Sequence, residues 1–336
     1  MGNRATGCFG YNRSARLSPS EECMNLALVR ACFRFATVFL LSGCFAVPLL
    51  RAECPELGTQ SEYLGISTVR LWTGDAPQAR GNSCDDIPFM TVFKPQYTRK
   101  NGNAVLILPG GAYLHLASIL EGREVADWFT ARGFTAFVLH YRMGKNYLLP
   151  VPLLDARRAI QMVRADASTY QIDPDRIAVI GFSAGGHLAA LSATQFVAGD
   201  NASADPIARV SSRPDALILG YGWLGGVTPD TSHLSYCKLM DVMDRCAELQ
   251  KQYTPERFVT AQTPPTFLYH TTEDTTVPVQ QALGFYQALL DAHVSAEMHI
   301  FAHGGHGSGL GKGNAALDQW TVLLETWLRG MGWLPR

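Results

Sequence analysis

The segment Gly181-Phe182-Ser183-Ala184-Gly185-Gly186 follows the apolar run 177–180 and leads into a helical stretch, which places a serine at the apex of a strand–turn–helix. Glycine on both sides permits a strained, closely packed turn, and the serine hydroxyl then stands above the sheet at a helix N-terminus. The plainer reading of the same string is a packing serine in a tight turn; the strand before it and the helix after it favour a nucleophile. A serine hydroxyl barely ionises at neutral pH, so it needs a neighbouring base, and the base needs a group that holds its tautomer and steadies its charge.

Two later loops offer those groups. Thr271-Thr272-Glu273-Asp274-Thr275-Thr276-Val277-Pro278 comes just beyond an expected strand, where open α/β sheets place their sites. After the next expected strand, His303-Gly304-Gly305-His306-Gly307 presents two histidines at the same sheet edge. Glu273 and Asp274 are neighbours, and one of them is equally well read as a solvated carboxylate or a cap for the following helix. His303 and His306 are likewise both open; as metal ligands they lack a third partner at convincing spacing. His115, His140, His187, His233, His270 and His293 show no partner pattern.

The chemistry such a set supports is acyl transfer, which also needs donors for the oxyanion. Leu108-Pro109-Gly110-Gly111-Ala112-Tyr113 follows the run 104–108, and glycine there lets main-chain N–H groups approach a substrate. The amides of Gly110, Gly111 and Ala184 are the expected donors. A simple glycine turn is the plainer reading of this loop on its own. It lacks the Lys-Ser/Thr pair of a phosphate loop and any G-x-G-x-x-G pattern, so it is no phosphate cradle.

These loops need a scaffold, and the sequence supplies an alternation of short β-branched runs with amphipathic helical stretches. Strands are expected over 67–72, 90–93, 104–108, 135–140, 176–181, 216–221, 266–270 and 296–301, and helices over 121–131, 152–166, 184–195, 278–292 and 315–328. The alternation predicts one α/β domain, a mostly parallel central sheet flanked by helices. Residues 222–259 break the rhythm and carry Cys237 and Cys246, and are read as a small lid insertion.

The first 52 residues stand apart. Arg30 and Arg34 precede the uncharged run 35–50, which suits a signal peptide better than the roughly 20 residues of a membrane span. Residues 24–52 are read as a secretory signal cleaved after Ala52, with 1–23 an upstream extension and 53–336 the catalytic domain. Leu41-Ser42-Gly43-Cys44 offers an alternative, a lipid anchor through Cys44. A buried N-terminal helix of a cytosolic protein is the plainer alternative.

The whole chain carries 28 basic and 29 acidic residues, net charge −1. Six of the basic and two of the acidic ones lie in 1–52, so the remainder carries 22 against 27 and a net charge of −5. No basic block marks a nucleic-acid partner. Outside the leader the cysteines are Cys54, Cys84, Cys237 and Cys246, an even set suited to an oxidising, secreted or periplasmic compartment. Cys237 with Cys246 and Cys54 with Cys84 is the preferred pairing of three. No stable membrane span is expected, and the sequence is silent on oligomeric state.

From residues 71 to 333 the chain resembles the α/β-hydrolase superfamily, and within it the bacterial esterases related to acetyl xylan and feruloyl esterases. The marks are LWTGDAP, LPGGAY, EGREVADWF, VLHYR, GFSAGGHLAA, PPTFLYHTTEDTTVP and HIFAHGGHG. The resemblance implies Ser183 as nucleophile, Asp274 as acid and His306 as base. It also implies removal of acetyl or other short acyl groups from plant polysaccharides or oligosaccharides, without cofactor or metal. Gly222 stands where relatives often have proline, and the cysteine-bearing insertion is a second departure. Tyr113, Tyr221 and Trp223 are candidates for the wall of the substrate pocket, with core packing the plainer role. A serine peptidase of prolyl oligopeptidase type is the enzyme alternative, disfavoured because no propeller-length N-terminal region is present. A silent hydrolase-fold binding protein is the other, disfavoured by the intact Ser, Asp and His set.

Overall fold

Eight strands form one sheet in the computed structural model, which describes residues 66–96, 99–225 and 235–335. They are β1 (Ile66–Arg70), β2 (Phe89–Phe93), β3 (Ala104–Leu108), β4 (Thr135–His140), β5 (Ile177–Phe182), β6 (Ala216–Gly220), β7 (Thr266–Thr271) and β8 (Ala296–Phe301). The helices are α1 (Glu124–Thr130), α2 (Val151–Ala165), α3 (Ala167–Tyr170), α4 (Ser183–Thr194), α5 (Tyr236–Leu239), α6 (Cys246–Tyr253), α7 (Val279–Asp291) and α8 (Gln319–Gly330). The strand order is β1-β2-β4-β3-β5-β6-β7-β8. β2 pairs antiparallel with β1 and β4, and all remaining neighbours are parallel. This is the mostly parallel, helix-flanked sheet that the alternation predicts.

The central strands read as unbroken apolar runs because both of their faces are covered. In β3, Ala104, Leu106 and Leu108 pack into one core with Leu153 and Ile160 of α2, Leu188 of α4 and Phe285 and Leu289 of α7. Val105 and Ile107 face the other way, into a second core with Val125 and Phe129 of α1 and Trp320, Leu324 and Trp327 of α8. β5 and β6 alternate in the same manner. α4 is apolar all round and buried at every position but its last, as a helix enclosed by sheet and neighbours must be. It therefore holds its first residue, Ser183, in a rigid frame.

Some boundaries differ from expectation. The stretch 121–131 is not one α-helix: Ser118–Arg123 forms a π-helical turn that runs into α1. The last helix begins at Gln319 rather than 315, because Asn314 Oδ1 accepts the N–H groups of Ala316 and Leu317 and holds a turn there.

The described part of the insertion packs on the core: Tyr236, Cys237, Met240, Cys246, Leu249 and Tyr253 are buried in the cluster that encloses α4. Cys237 and Cys246 form the expected disulfide, Cα–Cα 5.5 Å. Cys84 is also disulfide-bonded; its expected partner Cys54 lies outside the described residues, as do Cys44 and the leader 1–52. Closing so short a loop restricts the unfolded chain, so replacing both Cys237 and Cys246 with alanine is expected to cost about 2–3 kcal/mol, read as a lower urea midpoint. An unchanged midpoint would mean that packing alone holds the insertion. No helix of the described residues is long and apolar enough to cross a membrane.

Candidate active site

Ser183 sits between the last residue of β5 and the first turn of α4 with φ +52°, a left-handed backbone that costs a non-glycine residue about 1–3 kcal/mol. The surroundings hold it there. β5 is paired through Gly181 to Leu108 and through Phe182 to Gly220, and the Trp223 N–H donates to the Ser183 carbonyl at 2.9 Å. The turn is also closely packed: a Cβ on Gly185 would lie 2.0 Å from the Leu108 carbonyl oxygen, so only glycine lets α4 approach β3 this closely.

The loop after β7 and the loop after β8 bring Asp274 and His306 to this point. His306 Nε2 lies 2.8 Å from Ser183 Oγ, and His306 Nδ1 lies 2.7 Å from Asp274 Oδ2. Asp274 Oδ1 accepts the N–H groups of Thr276 and Val277, at 2.9 and 2.8 Å. His270, fully buried, donates from Nε2 to the Val277 carbonyl at 2.8 Å and lies 3.4 Å from Asp274 Oδ2. Burial opposes ionisation of Asp274, but the hydrogen bonds from His270, His306 and Val277 prevail and hold its carboxyl well below the usual carboxylate range. The Asp274 carboxylate in turn fixes the proton of a neutral His306 on Nδ1, which leaves Nε2 free to accept from serine.

The adjacent pair takes another path. Glu273 accepts from His303 Nδ1 at 2.8 Å and from the Gly304 N–H at 3.1 Å, in an exposed cluster away from Ser183. The two open choices in the sequence, which acid and which histidine faces the serine, therefore separate into one buried line and one surface pair.

Of the expected oxyanion donors, Gly110 is corrected. Its N–H donates to Glu121 Oε2 at 2.7 Å, so that amide is already engaged. The loop then turns through three left-handed residues, Gly111 at φ +125°, Ala112 at +57° and Tyr113 at +58°. At Gly111 a Cβ would lie 2.1 Å from the His115 carbonyl oxygen, so glycine is required. Among the described residues the N–H groups of Gly111 and Ala112 have no acceptor. The Ala184 N–H, in the first turn of α4, has no intrahelical carbonyl to bond. Gly111 and Ala112 of the loop and Ala184 beside the serine thus carry free N–H groups. The sequence pointed to the loop but not to Ala112, because the engagement of Gly110 depends on a side chain eleven positions later.

The three pocket aromatics are corrected as well. Tyr113, Tyr221 and Trp223 are each at most 2% exposed and belong to the interior. Tyr113 Oη donates to His187 Nδ1 at 2.8 Å, while His187 Nε2 donates to the Tyr253 carbonyl at 2.7 Å. Burial lowers His187 to about 4, so it is neutral and ties the loop, α4 and the insertion together. Tyr221 Oη donates to Glu121 Oε1 and accepts the Gly309 N–H, both at 2.8 Å. A separate cavity of about 350 Å³, lined by residues including Phe89, Leu114, Leu116, His140, Tyr141 and Lys145, adjoins the loop but is lined by none of Ser183, Asp274 and His306.

The BD-FAE family profile matches residues 90–289, which include Ser183 and Asp274 but stop short of His306. The acetylxylan esterase of Xylanibacter ruminicola is 28% identical over 247 residues, 72% of this chain and 48% of that protein. Endo-1,4-beta-xylanase B of Butyrivibrio fibrisolvens is 33% identical over 209 residues, 61% of this chain and 32% of that protein. The chain thus spans less than half the length of these two relatives. The solved acetyl ester-xyloside bifunctional hydrolase from Caldicellulosiruptor lactoaceticus superposes with a TM-score of 0.70 at 35% identity, over 80% of this chain and 97% of that one. The fold is the α/β-hydrolase fold, and with more than half of its length matched the chain belongs to the BD-FAE family of α/β-hydrolase esterases.

Proposed function

We propose that the chain is a serine carboxylesterase that removes acetyl or other short acyl groups from xylan-type polysaccharides or oligosaccharides through an acyl-enzyme. The observation that carries this reading is the continuous hydrogen-bonded line from Ser183 Oγ through His306 to Asp274, at 2.8 and 2.7 Å. In the mechanism, His306 Nε2 takes the Ser183 proton as Oγ attacks the ester carbonyl. The amides of Gly111, Ala112 and Ala184 receive the oxyanion of the tetrahedral intermediate. Asp274 remains ionised and steadies the imidazolium. The C–O bond to the alcohol breaks, His306 returns its proton to the leaving oxygen, and the acyl group stays on Ser183. Water, deprotonated by His306, repeats the attack and releases the carboxylic acid.

The acetyl and xylan-type assignment is supported by the relatives named for those activities. The Cys237–Cys246 disulfide supports work in an oxidising compartment, as a secreted or periplasmic enzyme. The test is acetate release from acetylated xylooligosaccharides beside cleavage of p-nitrophenyl esters of increasing acyl length. Acetate release from the oligosaccharides, with p-nitrophenyl activity falling as the acyl chain lengthens, is expected. Activity confined to long acyl chains would contradict the proposal.

A further inference from the structure

Glu121 is the one carboxylate of the site that the acyl-transfer steps do not use. It is 4% exposed and lies in the π-helical turn Ser118–Arg123, a form that recurs at functional sites. Burying an acid without a cationic partner is costly, and both donors that reach this one are uncharged: the Gly110 N–H at 2.7 Å on Oε2 and the Tyr221 hydroxyl at 2.8 Å on Oε1. Burial accordingly raises the Glu121 carboxyl, with those two bonds pulling the other way.

The two bonds lead to opposite sides of the nucleophile. Gly110 immediately precedes Gly111 and Ala112, whose N–H groups are free, and it lies against the nucleophile, a Cβ on it falling 2.8 Å from Ser183 Cβ. Tyr221, itself in the left-handed region at φ +36°, accepts the Gly309 N–H at 2.8 Å, three residues beyond His306. Its ring also meets the His306 imidazole edge to face, centroids 5.1 Å apart. One side chain therefore connects the loop after β3 to the loop after β8 through three hydrogen bonds, two to its own carboxylate and one from Gly309 to the tyrosine.

We infer that Glu121 is a positioning residue, which through Tyr221 locks the oxyanion loop to the base loop so that the amides and His306 keep one spacing across Ser183. This rests on the esterase reading above. Its direction is set by chemistry: the carboxylate can only accept, so it engages the Gly110 N–H and fixes the point from which the left-handed turn at Gly111 and Ala112 begins. Glutamine has the same shape but must donate from one end. If its oxygen keeps the Gly110 N–H, its amide can only donate where Oε1 accepted, so the Tyr221 O–H loses its acceptor and the relay is broken at one link.

The experiment compares wild type, Glu121→Gln, Tyr221→Phe and the double variant on p-nitrophenyl acetate, with the active fraction counted by fluorophosphonate titration of Ser183. Each single variant is expected to lose about 10- to 100-fold in kcat with KM changed less than about twofold, since loop donors shift in the transition state while substrate still binds. The double variant is expected to fall no further than the worse single one, because both act through one relay. Tyr221→Phe keeps the ring against His306 and carries the test if Glu121→Gln does not fold. Wild-type kcat in either folded single variant, a loss carried by KM, or single losses that multiply in the double variant would overturn the inference. A wild-type protein that cleaves no acetyl ester would overturn the esterase reading itself, whereas active wild type beside an equally active Glu121→Gln overturns this inference alone.

Discussion

Ser183→Ala is expected to lower kcat by about 10⁵- to 10⁶-fold, the loss that follows when a triad nucleophile is removed and only binding and the oxyanion amides remain. The change takes away one oxygen and its contact with His306 Nε2, while β5, α4 and the Trp223 bond to the residue 183 carbonyl stay in place. The fold should therefore be preserved, with Tm within about 3 °C of wild type, since the removed contact belongs to the site and not to the core. Acetate release and a thermal melt measure the two effects separately. A loss under about tenfold would mean that another group supplies the nucleophile.

Asp274→Asn is expected to cost about 10⁴-fold in kcat with little change in structure. Asparagine can keep accepting from Thr276 and Val277 through its oxygen. Its amide then donates to His306 Nδ1, and the imidazole proton moves to Nε2, where it can no longer take a proton from Ser183. Glu273→Gln, one residue away, is expected to change kcat by less than about threefold, because Glu273 is paired with His303 on the surface and such exposed pairs contribute little. Stability should change with pH in a defined direction. The Asp274 carboxyl lies well below the usual range, against the pull of burial, because His270, His306 and Val277 bond to its charged form. A lowered native pKa stabilises the fold above the ordinary carboxylate pKa of about 4, and that contribution is lost as pH falls below it. The stability gap between wild type and Asp274→Asn should therefore narrow as pH drops below about 4. A gap that widens toward acid would contradict this account of the carboxylate.

How far the sequence reaches can be judged from particular residues. The strands of the sheet centre were legible because AVLIL, IAVIGF and ALILG are continuous apolar runs, as strands covered on both faces must be. The position of Ser183 was legible because a strand, two flanking glycines and a helix coincide within a few residues. What escaped depends on contacts between distant segments. The π-helical turn at Ser118–Arg123 leaves no periodic signal, so 121–131 reads as an ordinary helix. The engagement of Gly110 by Glu121, and with it the role open to Ala112, is a single hydrogen bond that spacing does not announce. Tyr113 and Tyr221 look like pocket residues because they end the segments that meet at the site. Each is instead buried with its hydroxyl bonded, Tyr113 to His187 and Tyr221 to Glu121. Adjacent acids and paired histidines could be told apart in the chain only through the resemblance; in the structure a one-residue step along the loop turns Asp274 inward and Glu273 to the surface.

The acyl acceptor in the proposed reaction is Ser183, activated by His306 and Asp274. Labelling the purified protein with a fluorophosphonate ester, followed by peptide mass mapping, tests it most directly, because the reagent reacts only with a serine whose base and oxyanion donors are in place. One modification is expected, on Ser183, with complete loss of esterase activity, labelling slowed by about 10⁴-fold in Asp274→Asn, and none in Ser183→Ala. An active protein that takes up no label, or that carries it on another residue while Ser183→Ala remains active, would contradict it.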